Sequence, residues 1–141
     1  MSRSNYGLME GLRVSGQYED HVILGQNDAG DSGAKFEQVL TWQAAHFLWI
    51  ILTRALFPLQ GKDITLESAE RVVPFTQIDG SRVTSHVGVF ELVDGYYEIF
   101  GATSDGHAWE VRVGFAEGKR LWAGLDIVLY PMGWAGREPY R

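Results

Sequence analysis

Residues 42–58, with the sequence WQAAHFLWIILTRALFP, decide the fold of this chain. Bulky apolar side chains dominate the stretch, and His46, Thr53 and Arg54 interrupt it. A membrane-spanning helix needs about 20 consecutive apolar residues and tolerates a charge near its centre poorly. Because the apolar run is shorter and contains Arg54, the stretch predicts a core helix and argues against a membrane span.

The predicted helix covers residues 34–57. Candidate N-cap residues stand at positions 31 and 32, and Pro58 supplies the stop signal. Projected at about 100° per residue, its alanines, leucines and isoleucines form a broad stripe that must be buried. The opposite side is more polar and is formed by Gln43, His46, Ile50, Thr53 and Arg54. A free surface helix would carry more charge there, so we expect this second face to be half covered by protein or by a ligand.

The second half of the chain predicts strands. β-Branched and aromatic residues alternate there between turn signals that contain Asp-Gly or Glu-Gly. The predicted antiparallel meander has strands at residues 71–78, 82–93, 96–103, 107–115 and 119–130. One or two further strands are predicted within residues 12–24, ahead of the helix.

Length and composition set the class of protein. The chain has 141 residues, the size of one ordinary domain, and we predict a single domain over residues 1–141 with tails at 1–10 and 131–141. A net charge of −6 without a basic run argues against nucleic acid or an anionic membrane as partner. The absence of cysteine removes disulfides, thiolate metal sites and cysteine nucleophiles. The first residues lack the apolar core of a secretion signal, which predicts a cytoplasmic protein.

These elements predict an α+β fold in which one long central helix packs against a curved, mostly antiparallel sheet of five to six strands. The predicted element order is β-α-β-β-β-β-β. In element order alone, this layout resembles the cystatin-like and nuclear-transport-factor-like cone folds and the hot-dog fold. Such architectures host enzymes, carriers and dimerisation modules alike, so the resemblance implies no function.

Turn length fixes the register of the predicted hairpins. A two-residue turn at residues 94–95 would pair Phe90 with Ile99. A three-residue loop at residues 104–106 would pair Ile99 with Val111. The resulting core face consists of Phe90, Leu92, Tyr97, Ile99, Trp109, Val111, Val113, Leu121, Ala123, Leu125, Ile127 and Leu129.

The same register brings charged side chains together on the outer face of the sheet. Glu91 falls opposite Glu98, and Arg112 falls opposite Glu98 on the other side. Trp122 falls opposite Arg112. We interpret this set as a solvated charge ladder with a cation–π contact. The alternative is a pair of glycosidase-type carboxylates, which would need a cleft that adjacent sheet positions lack.

On the inner face, Gly88 and Gly101 fall side by side and leave a hollow beside Trp109. We predict a small-molecule pocket there, between the sheet and the polar side of the helix. Its lining is predicted to be His46, Arg54, His86, Thr103, His107 and Trp109. Two alternatives stay open: the histidines are purely structural, or three of them bind a metal, although the close spacing typical of such sites is missing.

Two functions of different classes follow from these features. The preferred one is a domain that binds a small, partly apolar ligand in the helix–sheet pocket, with histidine acid–base chemistry left open. The alternative is an acidic protein-interaction module, such as an inhibitor, immunity protein or adaptor, that uses Trp122, Arg112, Glu91 and the aromatic C-terminal tail. Exposed aromatic residues and the apolar helix favour a homodimer. The sequence carries no catalytic, metal or cofactor motif, so neither a metal nor a cofactor is predicted and enzyme activity stays undecided.

Overall fold

The computed structural model describes residues 3–18, 21–26, 36–58 and 83–130. Within these ranges the chain forms seven strands and two helices: β1 (Arg3–Leu8), β2 (Leu12–Tyr18), β3 (His21–Gln26), β4 (Glu37–Thr41), α1 (Trp42–Leu56), β5 (Val83–Glu91), β6 (Tyr96–Thr103), β7 (Ala108–Gly114) and α2 (Phe115–Leu129). The predicted α+β class is confirmed. The finer prediction of one helix on a five- to six-stranded antiparallel sheet differs from the structure, which has a second helix and a mixed sheet of seven strands.

All seven strands belong to one sheet with the order β1-β7-β6-β5-β4-β3-β2. Pairing is parallel between β1 and β7 and between β4 and β5, and it is antiparallel elsewhere. β1 and β2 stand at opposite edges of this order, yet only residues 9–11 join them. Six strand spacings in a flat sheet measure about 29 Å, whereas this connection spans at most about 14 Å. The sheet is therefore strongly curled.

Both helices pack on the inner, concave face of the curled sheet. α1 contacts β3, β4 and β5, while α2 contacts α1 and also β2 and β7, which lie near opposite edges. The hydrophobic core lies between these layers because the apolar stripes of both helices meet the inward side chains of the strands. Its largest fully buried apolar side chains are Leu12, Leu24, Leu40, Trp42, Leu48, Trp49, Leu52, Ile99, Trp109, Leu121 and Leu125.

The N-terminal part of the predicted long helix is wrong. Residues 37–41 form strand β4, which pairs with β3 on one side and β5 on the other. α1 begins at Trp42, where the hydroxyl oxygen of Thr41 accepts a hydrogen bond of 3.0 Å from the backbone N–H of Ala44. Such a cap satisfies a backbone donor that the first helical turn leaves free. The predicted cap positions 31 and 32 lie outside the described residues.

Residues 119–130 were predicted as a strand and belong to helix α2 instead. A spacing of four residues keeps side chains on one face in a strand and in a helix alike, and this spacing relates Leu121, Leu125 and Leu129. Trp122 and Asp126 distinguish the two structures, because each is buried beside a buried leucine. Adjacent residues share one side of a helix but point to opposite faces of a strand.

The helical structure of α2 removes several predicted positions from the sheet. Trp122 does not lie opposite Arg112, because it is buried and its indole N–H donates a hydrogen bond of 2.8 Å to the hydroxyl of Thr53. Ala123 and Ile127, predicted as core residues, are exposed. The prediction of a Trp122–Arg112 cation–π contact is therefore wrong.

The predicted register between β6 and β7 is confirmed. Ile99 pairs with Val111, and Tyr97 pairs with Val113. The connecting loop has three residues, 104–106, as expected, and the backbone N–H of Thr103 donates to the carbonyl of His107. Local turn geometry alone therefore determines the register of this hairpin.

The predicted register between β5 and β6 is wrong by one residue. The turn contains three residues, Val93–Gly95, with left-handed φ angles of 63° at Asp94 and 78° at Gly95. Phe90 therefore pairs with Glu98 rather than with Ile99. Since a one-residue slip moves a side chain to the other face of a sheet, Phe90 leaves the core and is 59% exposed.

The same slip corrects other predicted pairs. Glu91 lies opposite Tyr97, so the predicted Glu91–Glu98 pair does not form. His86 lies opposite Ala102 instead of Thr103, and Gly88 lies opposite Phe100 instead of Gly101. Arg112 does lie opposite Glu98, as predicted.

The two termini differ in what the structure describes. Residues 3–8, predicted as part of a tail, form strand β1, which pairs in parallel with β7. The predicted strand at residues 71–78 and the aromatic tail at residues 131–141 lie outside the described residues. Neither described helix combines the length and the apolar character that crossing a membrane requires.

Candidate functional site

The hollow predicted around two adjacent glycines is occupied by protein side chains. A Cβ atom at Gly101 would overlap the indole ring of Trp109 on the inner face of the sheet. A Cβ atom at Gly88 would overlap the ring of Phe100. Because Gly88 faces Phe100 across the strands, it belongs to the other face of the sheet. Each glycine therefore accommodates one aromatic ring.

Trp109 is a packed core residue with a satisfied hydrogen bond. It is 1% exposed, and the ring of Phe36 contacts its indole edge to face at a centroid distance of 5.4 Å. Its indole N–H donates a hydrogen bond of 2.9 Å to the hydroxyl of Thr84, which in turn donates to the side-chain oxygen of Gln38 at 3.3 Å. These two buried hydrogen bonds connect β7, β5 and β4 and hold the side chains of the inner face in place.

His46 and Arg54, the predicted helix contributions, lie apart from the sheet positions. His46 is buried, and its Nε2 lies 2.7 Å from the hydroxyl of Tyr130, which follows α2. Arg54 is exposed in the last turn of α1. The contact between His46 and Tyr130 therefore joins the two helices.

Thr103 and His107 flank the loop of residues 104–106 between β6 and β7. The Thr103 hydroxyl accepts a hydrogen bond of 3.0 Å from the backbone N–H of His107 and also bonds to the carboxylate of Asp105. The Nε2 of His107 lies 3.2 Å from the hydroxyl of Ser4 in β1. These contacts shape the loop and connect it to the edge strand.

His86 is exposed on the outer face of the sheet, with Nδ1 3.0 Å from the hydroxyl of its neighbour Ser85. Two of the six predicted site residues, His86 and Trp109, border a common cavity, although the indole ring of Trp109 is packed on the inner face. The other four do not line it: His46 and Arg54 lie on α1, and Thr103 and His107 shape the β6–β7 loop.

This cavity, which we call the outer-face pocket, has a volume of about 320 Å³ and opens over β1, β7, β6 and β5. One row of paired residues crosses these four strands in the order His86, Ala102, Ala108, Arg3. The two alanines leave space between the longer side chains at either end. The walls are formed by Arg3, His86, Phe90, Glu98, Phe100 and Glu110.

Two carboxyl groups and one guanidinium form the polar wall of the outer-face pocket. Arg3 donates to Oε1 of Glu110 from Nε at 3.0 Å and from Nη2 at 2.7 Å. Glu110 is 9% exposed. Glu98 lies diagonally across the β6–β7 pair from Glu110 and lines the same cavity.

The surroundings shift the pKa values of the two carboxyl groups in opposite directions. The hydrogen bond to Glu110 raises the pKa of Glu98, with burial and the negative charge of Glu110 acting in the same direction. The hydrogen bond from Arg3 lowers the pKa of Glu110, and the hydrogen bond to Glu98 adds to this effect. Between the two pKa values, Glu98 therefore holds the proton and Glu110 is ionised.

An aromatic wall stands beside these carboxyl groups. The rings of Phe90 and Phe100 stack with a centroid distance of 5.1 Å and an interplanar angle of 24°. Phe100 covers the backbone of Gly88, whereas Phe90 remains largely exposed. The outer-face pocket thus combines an apolar surface with the carboxyl group of Glu98, which can form hydrogen bonds and can gain or lose a proton.

Comparison of the chain with protein-family models, with curated proteins and with solved structures gives no match. Among the residues that the structure describes, no group of three or more His, Asp or Glu side chains is arranged to hold a metal ion. The chemistry of the pocket must therefore be argued from its own side chains.

Sequence reasoning missed Arg3, Phe100 and Glu110. A signal for two of them was present, because the correct β6–β7 register already places Phe100 opposite Glu110 on the outer face. Arg3 had no local signal. Its position depends on a parallel pairing between strands that are far apart in sequence, which no turn specifies.

Proposed function

We propose that the protein binds a small, partly apolar molecule in the outer-face pocket. The observation that carries this proposal is a cavity of about 320 Å³ that joins an aromatic wall to the Glu98–Glu110–Arg3 network. Ligand sites in proteins typically measure about 300–1,000 Å³ and combine apolar walls with a few polar groups that orient the ligand. The outer-face pocket has this size and this composition, which supports the proposal.

The parts of the pocket have separate roles in the proposed binding. Ala102 and Ala108 form the floor on which the apolar part of the ligand rests. Phe90 contributes an exposed ring that a ligand would cover, removing apolar surface from water. His86 at one end and Glu98 near the other are the groups available for proton transfer with a bound molecule.

A pocket-filling substitution tests the proposal. Ala102→Trp places a large ring on the floor of the outer-face pocket, whereas Ala123→Trp makes the same change at an exposed position on α2. A fragment library is screened by ligand-observed NMR against wild type and both variants. We expect a set of compounds that bind wild type and Ala123→Trp with equal affinity and lose binding to Ala102→Trp. A library without binders, or compounds that bind Ala102→Trp equally well, would contradict the proposal.

A second candidate function is a protein-interaction module that forms a homodimer. Exposed apolar side chains surround the β5–β6 turn, with Val93 81% exposed and Phe90 and Tyr96 nearby. Trp122 cannot take part in such a surface, because it is buried. Light scattering coupled to size exclusion should then give a dimer for wild type and a monomer for Val93→Asp. A monomeric wild type would remove this candidate. A cytoplasmic location stays a prediction.

A further inference from the structure

We infer that the ligand of the outer-face pocket is an organic cation, namely a protonated amine attached to a short apolar body. The inference rests on the proposed function and specifies the class of ligand. It starts from the placement of Glu98 and Glu110, two acidic side chains that lie diagonally on the outer face of the β6–β7 pair and line the same cavity.

The charges that line the cavity favour a cationic ligand. Among the described lining residues, Arg3 is the one permanent cation, and both of its hydrogen bonds to Glu110 end on the same oxygen, Oε1. Arg112 lies opposite Glu98 on β7 but does not line the cavity. On the cavity side, Glu98 therefore faces Glu110 rather than a cation, and the raised pKa of Glu98 favours a proton on its carboxyl group. A cation from a ligand can take the place of that proton.

The aromatic wall of the cavity also favours a cationic ligand. A cation is attracted to the face of an aromatic ring within about 6 Å of its centre, because the ring carries negative charge density there. Phe90 and Phe100 stand beside the carboxyl groups and offer this surface. An alkyl or aryl body attached to the amine would cover the floor formed by Ala102 and Ala108. A bare metal ion would gain nothing from either apolar surface.

The same surroundings disfavour a negatively charged ligand. An anionic ligand would face Glu98 and Glu110, and the guanidinium of Arg3 already binds Glu110 through two donors. The whole chain carries a net charge of −6, so its long-range field attracts cations and repels anions. The local contacts and the net charge of the chain therefore both favour a positively charged ligand.

Binding of the amine should be linked to the release of a proton. The charged and titratable groups around Glu98 are Glu110 and Arg112 on β7, Arg3 on β1 and His86 on β5. The ammonium group replaces the shared proton: protonated Glu98 and the free ammonium ion give ionised Glu98 paired with ammonium, and one proton leaves to the solvent. Affinity should therefore increase with pH until the raised pKa of Glu98 is passed, and then level off.

The experiment compares three probes of nearly equal shape: phenethylamine, 2-phenylethanol and 3-phenylpropanoate. Their affinities are measured by isothermal titration calorimetry across a pH series, in two buffers of different ionisation enthalpy so that proton release is counted. We expect phenethylamine to bind about 10-fold more tightly than the alcohol, with proton release below the pKa of Glu98. Ala102→Trp should abolish binding, and Ala123→Trp should leave it unchanged.

Two charge-matched variants isolate the role of Glu98. Glu98→Gln keeps the size of the side chain and a donor for Glu110 but cannot be ionised. Glu91→Gln removes one negative charge from the same sheet outside the outer-face pocket. We expect Glu98→Gln to lose about 10-fold in affinity for phenethylamine together with its pH dependence, while affinity for the alcohol stays constant. Glu91→Gln should behave as wild type.

The outcomes separate this inference from the proposed function. If the alcohol or the acid binds the pocket as tightly as the amine, the cation inference fails and the binding proposal stands. The same conclusion follows if Glu98→Gln binds phenethylamine as wild type does. If none of the probes binds but the fragment screen finds pocket ligands, again only the cation inference fails. If neither the probes nor the fragments bind, both proposals fall.

Discussion

The two faces of strands β5, β6 and β7 differ in how their polar groups are matched. On the inner face, Trp109, Thr84 and Gln38 form a hydrogen-bonded chain that is buried under the helices. On the outer face, Glu98 lies diagonally across from another acidic residue, Glu110, and both line a cavity. Alternate residues of the same strands supply both faces, since side chains of a strand point to opposite sides in turn.

The contrast separates a face whose polar groups are buried and hydrogen-bonded from a face whose polar groups border a cavity. The donors and acceptors of this chain on the inner face complement one another, and together they connect β7, β5 and β4. On the outer face, the surroundings displace the pKa values of Glu98 and Glu110 in opposite directions, and displaced pKa values of this kind occur preferentially at functional sites. The walls of a cavity have fewer packing contacts than a filled core, so the cavity adds no stability by itself.

The largest expected effect comes from removing the central side chain of the inner face. Trp109→Ala should lower the free energy of unfolding by about 4 kcal/mol, because it removes a buried ring and its hydrogen bond. Phe90→Ala, a truncation of the exposed ring on the outer face, should cost less than about 1 kcal/mol. Urea denaturation monitored by circular dichroism measures both changes. If both variants lost the same free energy of unfolding, the inner face would not be the more important one for stability.

A pair of glycines gives a matched test of intermediate size. Gly101→Ala forces the added methyl group against Trp109, which is closely packed, and should cost roughly 2–3 kcal/mol. Gly88→Ala meets the ring of Phe100, which is half-buried and borders the cavity, so the ring can turn away at a cost below about 1 kcal/mol. Neither glycine has a left-handed φ, so backbone strain is the same small factor in both. Thermal unfolding of both variants checks the order, and a reversed order would show that the outer wall is the more rigid one.

The smallest expected effect is a pH dependence of stability. Because the pKa of Glu98 lies above its ordinary value of 4.5 in the folded protein, its contribution to stability is complete below that value and is lost as pH rises through the raised pKa. Glu98→Gln keeps a donor for Glu110 at every pH and avoids this loss. Its stability relative to wild type should therefore increase as pH rises from about 4 to about 8.

The control for this experiment is the behaviour of Glu110. Its pKa is lowered, so its contribution is present above the ordinary value and is lost as pH falls through the lowered pKa. Wild type and Glu98→Gln share this loss at low pH, and it cancels in their difference. A difference that does not change with pH would show that Glu98 and Glu110 do not share a proton in solution.

Local patterns predicted parts of the fold well. The three-residue loop at 104–106 was enough to place Ile99 opposite Val111, and the apolar run before Pro58 was enough to place the C-terminal end of α1. The β5–β6 turn was mispredicted by one residue because Asp94 and Gly95 both take left-handed conformations inside a longer turn. That single residue decided whether Phe90 belongs to the core or to the outer-face pocket.

Non-local contacts decided the remaining elements. The segment of α2 satisfies a strand pattern through its leucines and a helix pattern through Trp122, and its packing on α1 and β2 selects the helix. Strand β4 gains its backbone partners from β3 and β5, although its sequence continues directly into a helix. Where two local structures are nearly equal in free energy, the partner that is available in the folded chain determines the outcome.

The periodicity of side chains over short distances is enough to predict the α+β class, one core helix and the register of the β6–β7 hairpin. It also predicts the side of β6 and β7 on which Glu98, Phe100, Glu110 and Arg112 lie. The tertiary structure, by contrast, brings Arg3 to Glu110. It also decided that the pocket lies outside the sheet rather than beneath the helix. Both outcomes depend on a parallel pairing of β1 with β7 and on a one-residue slip of β5, and the free energy of such long-range pairing is set by the whole folded chain rather than by any short stretch of it.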